Sequence, residues 1–186
     1  MTKLGNGTSQ NKRYVGLREI DERDIPHFSR NLSYPEIARF LDFEYPYTEE
    51  NAREFIEKDK FLRQLEHRVC YSFSIDLGNV PAGYIRLEGI APKSKRAFLT
   101  YWLSGFFWGE GVMSEALDRV INYSFNSLEL EELGASVVID NVNSCNLLES
   151  RGFRVEDRWP RSFKSPVDGK FYDGCLYVLE NKYMLN

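Results

Sequence analysis

The stretch "SGFFWGEGVMSEALDRV", residues 104–120, places Gly109 and Gly111 between an aromatic run and a segment with helical periodicity. Glycine adopts positive φ angles more readily than any other residue, so a loop that needs such angles is the simplest interpretation. A helix that begins directly after a glycine turn also presents unpaired backbone N–H groups, which bind anions. The rest of the chain decides between a plain turn and an anion site.

The composition is typical of one globular domain. The chain has 186 residues, of which 42% are hydrophobic and 28% charged, and its net charge of −4 argues against a nucleic-acid-binding face. Its three cysteines, Cys70, Cys145 and Cys175, lack CxxC spacing and predict neither a disulfide framework nor a zinc site. No apolar stretch approaches the ~20 residues of a membrane span. We expect a cytoplasmic protein with a flexible tail over residues 1–12 and one domain over 13–186.

The residue pattern predicts a mixed order of strands and helices. Alternating apolar residues predict strands over 13–20, 69–77, 82–90, 153–163 and 171–181, with "GNVP" turning the first hairpin, and more continuous apolar runs predict buried strands over 96–104 and 134–139. Helices are predicted after Asp21 or Asp24, over 47–67 from an N-cap at Thr48, over 113–125 and over 143–152. No repeat or linker divides the chain, so this order predicts a single α/β domain.

Two nucleotide-binding motifs that also open a helix with glycines do not fit. A Rossmann fingerprint requires a third glycine where this chain has Ser114, and it follows the first strand of a parallel sheet. A P-loop requires lysine and then serine or threonine after its last glycine, whereas Gly111 is followed by Val112 and Met113. The glycine turn is therefore a candidate cradle for the pyrophosphate of a different molecule.

Two segments together resemble the GNAT acetyltransferase superfamily. "YWLSGFFWGEGVMSEAL" is similar to the strand, turn and helix start of the RimJ/RimL-like branch, which acetylates protein N-termini. "NVNSCNLLESRGF" is similar to the second cofactor segment of that branch. The matching positions are Trp108, Gly109, Gly111, Glu115, Ala116, Asn141, Ser144, Gly152 and Phe153. The resemblance extends over about residues 13–183.

The resemblance implies both a fold and a co-substrate. It implies an α/β (α+β) domain with a mixed, mostly antiparallel sheet of about seven strands, splayed between strands 4 and 5, and about four helices. Acetyl-CoA is the implied co-substrate, and an amine attacks its thioester directly. Phe106 stands where the superfamily has Gln or Arg, which leaves phosphate binding to backbone N–H groups. The implied cofactor-binding residues are Leu103, Ser104, Trp108, Gly109, Glu110, Gly111, Val112, Met113 and Asn141.

The resemblance leaves the general acid open. Many superfamily members have a tyrosine in the second segment where this chain has Leu148. Ser144 is the implied replacement, because the branch is thought to use its motif serine near the thiol sulfur. The alternative is that Ser144 caps the helix that follows.

A general base is also undetermined. The branch often carries a carboxylate in "AELGYW", but the equivalent "AFLTYW" of this chain has Phe98 and Thr100 instead. Glu88, one strand earlier, is a candidate if burial raises its pKa. The alternatives are that Glu88 is an exposed strand residue beside Arg86, or that no base is needed.

The acceptor is an amine of unknown identity. A protein or peptide N-terminal α-amine is expected, with a small amine such as a polyamine, amino sugar or antibiotic as the alternative. An inactive acyl-CoA-binding module and a pure interaction protein are two further possibilities. Specificity is expected in the segments 43–50 and 159–171. The candidates for an aromatic acceptor pocket, for each of which core packing is the favoured alternative, are Tyr45, Tyr47, Tyr101, Trp102, Trp159, Phe163 and Tyr172. The closing strands would otherwise leave exposed edges, which makes a homodimer plausible.

Overall fold

The structure is a computed structural model that describes residues 14–90, 93 and 95–181. The strands are β1 (Val15–Glu19), β2 (Cys70–Leu77), β3 (Val80–Glu88), β4 (Arg96–Leu103), β5 (Glu132–Val138), β6 (Arg154–Lys164) and β7 (Phe171–Glu180). The helices are α1 (Ile25–Leu32), α2 (Pro35–Ala38), α3 (Glu49–Arg63), α4 (Val112–Asn126) and α5 (Val142–Glu149). The predicted tail over residues 1–12 lies outside the described residues. None of the described helices is both long and apolar enough to cross a membrane.

Local sequence signals set the predicted helix starts. Thr48 caps α3, since its Oγ1 accepts from the Asn51 N–H (3.2 Å) while Asn51 Oδ1 accepts from the Thr48 N–H (2.9 Å). Asp21 caps a 3-10 turn, Glu22–Asp24, that leads into α1. The hairpin turn is shorter than "GNVP", because β3 already begins at Val80 and Gly78 (φ +64°) provides the reversal.

The seven strands form one sheet in the order β1-β2-β3-β4-β5-β7-β6, which confirms the predicted mostly antiparallel architecture. The parallel pair is β4 and β5, and it is joined over Arg96–Phe98 and Glu132–Gly134. At the end of this paired section the Phe98 ring packs against Gly134, where an added Cβ would lie 2.8 Å from the ring. Both strands continue beyond this point, and the sheet is therefore splayed between them, as expected.

Helices cover both faces of the sheet and create two cores. On one face α4 and α5 bury a set of aliphatic side chains that includes Ile85, Leu87, Leu99, Ala116, Leu117 and Leu148. On the other face α1 to α3 enclose an aromatic group, in which Phe28 lies 5.4 Å from Tyr84 and 5.2 Å from Trp102 between ring centroids. β4 contributes Leu99 and Leu103 to the first core and Trp102 to the second, and it leads into the glycine turn.

The strand β6 lies at one edge of the sheet, and most of its residues are exposed. An exposed edge of this kind is where a second chain would pair or pack. The homodimer through the closing strands remains a prediction.

Candidate active site

The glycine turn connects the end of β4 to the start of α4. Gly109 and Gly111 both have φ +78°, and an added Cβ at either position would meet no heavy atom within 4 Å. Glycine is therefore needed here for the backbone conformation and not for lack of space. Gly111 is the N-cap of α4, and Glu115 donates to its carbonyl oxygen (3.0 Å) as the first helical bond. The N–H groups of residues 112–114 precede that bond, so the turn is also a suitable anion site.

A cleft of about 610 Å³ extends from this turn to α2 and α5, and we call it the donor cleft. It is lined by most of the predicted cofactor residues, namely Leu103, Trp108, Gly109, Gly111, Val112, Met113 and Asn141. Two predicted residues lie elsewhere. Ser104 is buried and donates its N–H to Ala82 O (2.8 Å), and Glu110 is exposed on the turn.

The backbone of β4 offers hydrogen-bonding groups to the gap in the sheet. Since the Ser104 N–H bonds to Ala82 on β3, the alternation of an antiparallel pair turns the N–H and C=O of Leu103 and Tyr101 toward β5. The indole Nε1 of Trp108 donates to Leu103 O (2.9 Å) and so uses one of the two lone pairs of that oxygen. An extended molecule in the gap would therefore pair with the Leu103 N–H and with the Tyr101 backbone.

A second cleft of about 370 Å³ lies toward β6 and β7, and we call it the acceptor cleft. The two clefts share five lining residues, which are Phe40, Leu41, Tyr101, Asn141 and Ser144. They therefore meet at the point where β4 and β5 separate. Molecules that enter from opposite sides would come together beside Ser144.

Ser144 lies within hydrogen-bonding distance of a phenol at this junction. Tyr101 Oη and Ser144 Oγ are 2.7 Å apart. Burial raises the pKa of Tyr101 to about 12, and the bond to Ser144 lowers it only in part. The N-cap of α5 is Asn141, whose Oδ1 accepts from the Ser144 N–H (3.3 Å). The alternative in which Ser144 caps this helix is therefore wrong.

Comparisons with known proteins agree with this geometry. The family model "Acetyltransferase (GNAT) domain" matches residues 15–154. The chain belongs to the GNAT acetyltransferase family. The uncharacterized N-acetyltransferase YoaA of Bacillus subtilis is 29% identical over 140 residues, which are 75% of this chain and 79% of YoaA.

Solved GNAT structures share the fold. RimL, a ribosomal alpha-N-protein acetyltransferase in complex with coenzyme A, superposes with a TM-score of 0.80 at 22% identity over 89% of this chain and 93% of that chain. Spermidine N-acetyltransferase from Vibrio cholerae, in complex with CoA and spermine, has a TM-score of 0.80 at 20% identity, and the match covers 95% of this chain and 100% of that chain. This GNAT protein is thus an acetyl-CoA-dependent N-acetyltransferase, and the predicted resemblance to the RimJ/RimL-like branch is confirmed.

Glu88, the predicted base of this GNAT enzyme, lies outside the lining of both clefts. Its Oε1 accepts from Thr100 Oγ1 (3.0 Å), and its Oε2 lies 3.3 Å from Arg86 Nε. Thr100 itself lines the acceptor cleft, so Glu88 is separated from that cleft by one hydrogen bond. This placement agrees with the alternative of a half-exposed carboxylate beside Arg86.

The predicted specificity segments contribute unequally to the acceptor cleft. Trp159, Ser162 and Phe163 line it, because a bulge in β6 between Trp159 and Phe163 changes the direction of these side chains. On the opposite wall the lining comes from residues 40–42, just before the predicted segment 43–50. Tyr47 and Trp102 are core residues. Phe40 was missed because no periodic signal marks the short loop after α2.

Proposed function

We propose that the enzyme transfers the acetyl group of acetyl-CoA to the α-amine of a protein or peptide N-terminus. The observation that carries the proposal is the meeting of the donor and acceptor clefts at Tyr101 and Ser144, in the gap between β4 and β5. A thioester held from one side and an amine held from the other would be in contact there. Such proximity removes most of the entropic cost of a reaction between two molecules.

The donor side would bind acetyl-CoA mainly through its backbone. The N–H groups around Gly109 to Met113 suit the pyrophosphate, since the start of α4 carries a partial positive charge. The pantetheine arm would run along β4 as an added strand. The Leu103 N–H, which points into the gap, would stabilise the negative charge that develops on the thioester oxygen.

The reaction would proceed by direct attack without an acyl-enzyme. A neutral amine forms the new C–N bond, the C–S bond breaks, and the sulfur leaves as a thiolate. The Ser144 hydroxyl would donate a hydrogen bond to that sulfur. The nitrogen loses its extra proton to water, so this mechanism assigns no step to Glu88.

The lining of the acceptor cleft favours an amine with a single charge. Asp42 is the one charged side chain among the described residues that line it, while Phe40, Trp159 and Phe163 provide aromatic walls. A peptide N-terminus brings one ammonium group, which a carboxylate and ring faces attract. A polyamine brings additional ammonium groups that would need further carboxylates. The structural likeness to a spermidine acetyltransferase keeps a small amine as the second candidate.

A thiol-release assay over matched acceptors tests the substrate class. We expect peptides with free N-termini to be acetylated with a kcat/KM at least about tenfold above that of spermidine, which corresponds to about 1.4 kcal/mol. N-terminally blocked copies of the same peptides are the control and should release no thiol. A preference for spermidine would overturn the proposed acceptor class, and binding of acetyl-CoA without turnover of any amine would indicate an inactive acyl-CoA-binding module.

Asp42→Asn provides a separate test of the acceptor cleft. We expect KM for the peptide to rise by about fivefold, because the exposed carboxylate contributes up to roughly 1 kcal/mol to attraction of the ammonium. The dissociation constant for acetyl-CoA, measured by calorimetry, should not change. Glu50→Gln removes an exposed carboxylate of α3 that lies outside both clefts and serves as the control. Equal effects of the two variants would count against a role for Asp42.

A further inference from the structure

The Tyr101–Ser144 pair joins two elements that are distant in sequence. Tyr101 belongs to β4 and Ser144 to the first turn of α5, and their 2.7 Å contact bridges the gap where the sheet opens. Both side chains line both clefts. The pair is therefore part of the wall that a bound thioester would contact.

We propose that Tyr101 is a positioning residue that donates its hydroxyl proton into a hydrogen bond with Ser144 Oγ and so directs the Ser144 hydroxyl at the leaving sulfur. This inference rests on the proposed function. Each hydroxyl has one proton to donate. If Tyr101 donates to Ser144, the serine proton is available for the sulfur. The two bonds in series also polarise each other, which strengthens the bond to the developing thiolate.

Either hydroxyl can donate in this contact, and the environment of Tyr101 keeps it available as the donor that the proposal requires. Burial raises its pKa to about 12, so the phenol stays protonated and remains a donor at neutral pH. Its ring packs against the core between the sheet and α4, which restricts its orientation. The Ser144 side chain can adopt staggered χ1 rotamers, and its hydroxyl hydrogen can rotate about the C–O bond. A hydrogen bond from the fixed phenol would restrict both rotations.

The same pair replaces a group that this chain lacks. Leu148 stands where many GNAT members have a tyrosine, and it is fully buried and apolar. A phenol is nonetheless present at the junction, and it comes from β4 instead of α5. Its hydrogen bond goes to Ser144, so its effect on the sulfur is transmitted through that serine.

Kinetics of Tyr101→Phe and Ser144→Ala test the inference. We expect each variant to lower kcat by about ten- to a hundredfold, since a hydrogen bond to a charged group contributes ~1.5–3 kcal/mol. KM for acetyl-CoA should change less than about threefold. The double variant should be no slower than Ser144→Ala alone, because both substitutions interrupt one hydrogen-bonded chain.

A second measurement needs no acceptor amine. The pKa of the thiol of bound CoA, followed through the ultraviolet absorbance of the thiolate, should rise by about one unit in Tyr101→Phe and in Ser144→Ala relative to the wild type. Tyr177→Phe is the matched control. Tyr177 is a buried tyrosine that also bonds to α5, through Glu149 Oε1 (2.7 Å), but it lies outside both clefts.

The outcomes separate this inference from the proposed function. If the wild type does not bind CoA, the proposed function fails and the inference fails with it. If CoA binds but its thiol pKa is the same in wild type and Tyr101→Phe, only the inference is overturned. It is also overturned if the losses in kcat multiply in the double variant, or if Tyr177→Phe has the same effects as Tyr101→Phe.

Discussion

Gly111→Trp is expected to weaken the binding of acetyl-CoA by about a hundredfold or more, because it covers the start of α4. Loss of two hydrogen bonds from backbone N–H groups to phosphate removes ~3 kcal/mol of binding free energy, which corresponds to a change in the dissociation constant of that size. Gly111 has φ +78° and no atom near the position of its missing Cβ, so an indole would project into the space that a pyrophosphate needs. Any L side chain at this position also raises the free energy of the left-handed turn by about 1–2 kcal/mol, which destabilises the fold locally.

Titration calorimetry with acetyl-CoA measures this effect, and Gly105→Trp is the control. Gly105 lies in the same exposed turn and also has open space at its Cβ position, but it does not have a positive φ and is not the N-cap of α4. We expect Gly105→Trp to bind acetyl-CoA within about threefold of the wild type. Equal binding by all three proteins would show that the glycine turn holds no phosphate. Circular dichroism before titration shows whether each variant is folded.

The substitution Asp24→Asn is expected to reduce the free energy of unfolding by about 3 kcal/mol. The Asp24 side chain is fully buried and accepts a bidentate pair of bonds from Arg18 Nη1 (2.9 Å) and Nη2 (2.7 Å). It also accepts from Ser74 Oγ (3.1 Å) and from the Asp21 N–H (2.9 Å). Asparagine keeps the shape of the side chain but removes its charge. Its amide NH2 group would also face groups that donate hydrogen bonds to the Asp24 carboxylate, so those donors would lose an acceptor. Arg18 keeps its bond to Asp76 (2.7 Å), which limits the loss.

Thermal unfolding measures this second effect, and the midpoint should fall by about 10 °C for a chain of this length. Glu22→Gln is the control, since Glu22 is the neighbouring carboxylate of the same 3-10 turn. It pairs with Lys60, but its side chain is 65% exposed. An exposed ion pair of this kind is screened by solvent, so we expect no measurable change in the midpoint. If the unfolding midpoint fell by the same amount in both variants, the burial of Asp24 would not be what determines its contribution to stability.

Local sequence patterns were sufficient to predict most of the helices and strands of the fold. The helix α3 begins at the predicted N-cap Thr48, and the apolar period after Gly111 matches the buried face of α4. These features depend on residues within one or two turns of each other, which a sequence displays directly. The predicted "GNVP" turn was too long because Val80 and Pro81 fit an edge of the hairpin as well as a turn.

The residues of the candidate site were harder to predict from the sequence, because their positions depend on tertiary structure. The sequence offers Glu88 as one candidate base, one strand before the predicted cofactor segment, and in the structure its carboxylate contacts Thr100 and Arg86. Strand alternation predicts which face a side chain occupies but not how near that face lies to a cleft. Phe40 and Asp42 were missed for the same reason, since the loop after α2 reaches the acceptor cleft only in the folded chain.

By itself the sequence determined the family, the glycine turn and the presence of Ser144 in the second segment, because each is encoded by neighbouring residues. Only the tertiary structure decided that the Ser144 hydroxyl meets Tyr101 rather than capping α5, and that two clefts join at this pair. These two residues are separated by 43 positions. Their approach depends on where β4 and β5 separate and on how α5 packs over the gap, and both are set by long-range packing that no local pattern records.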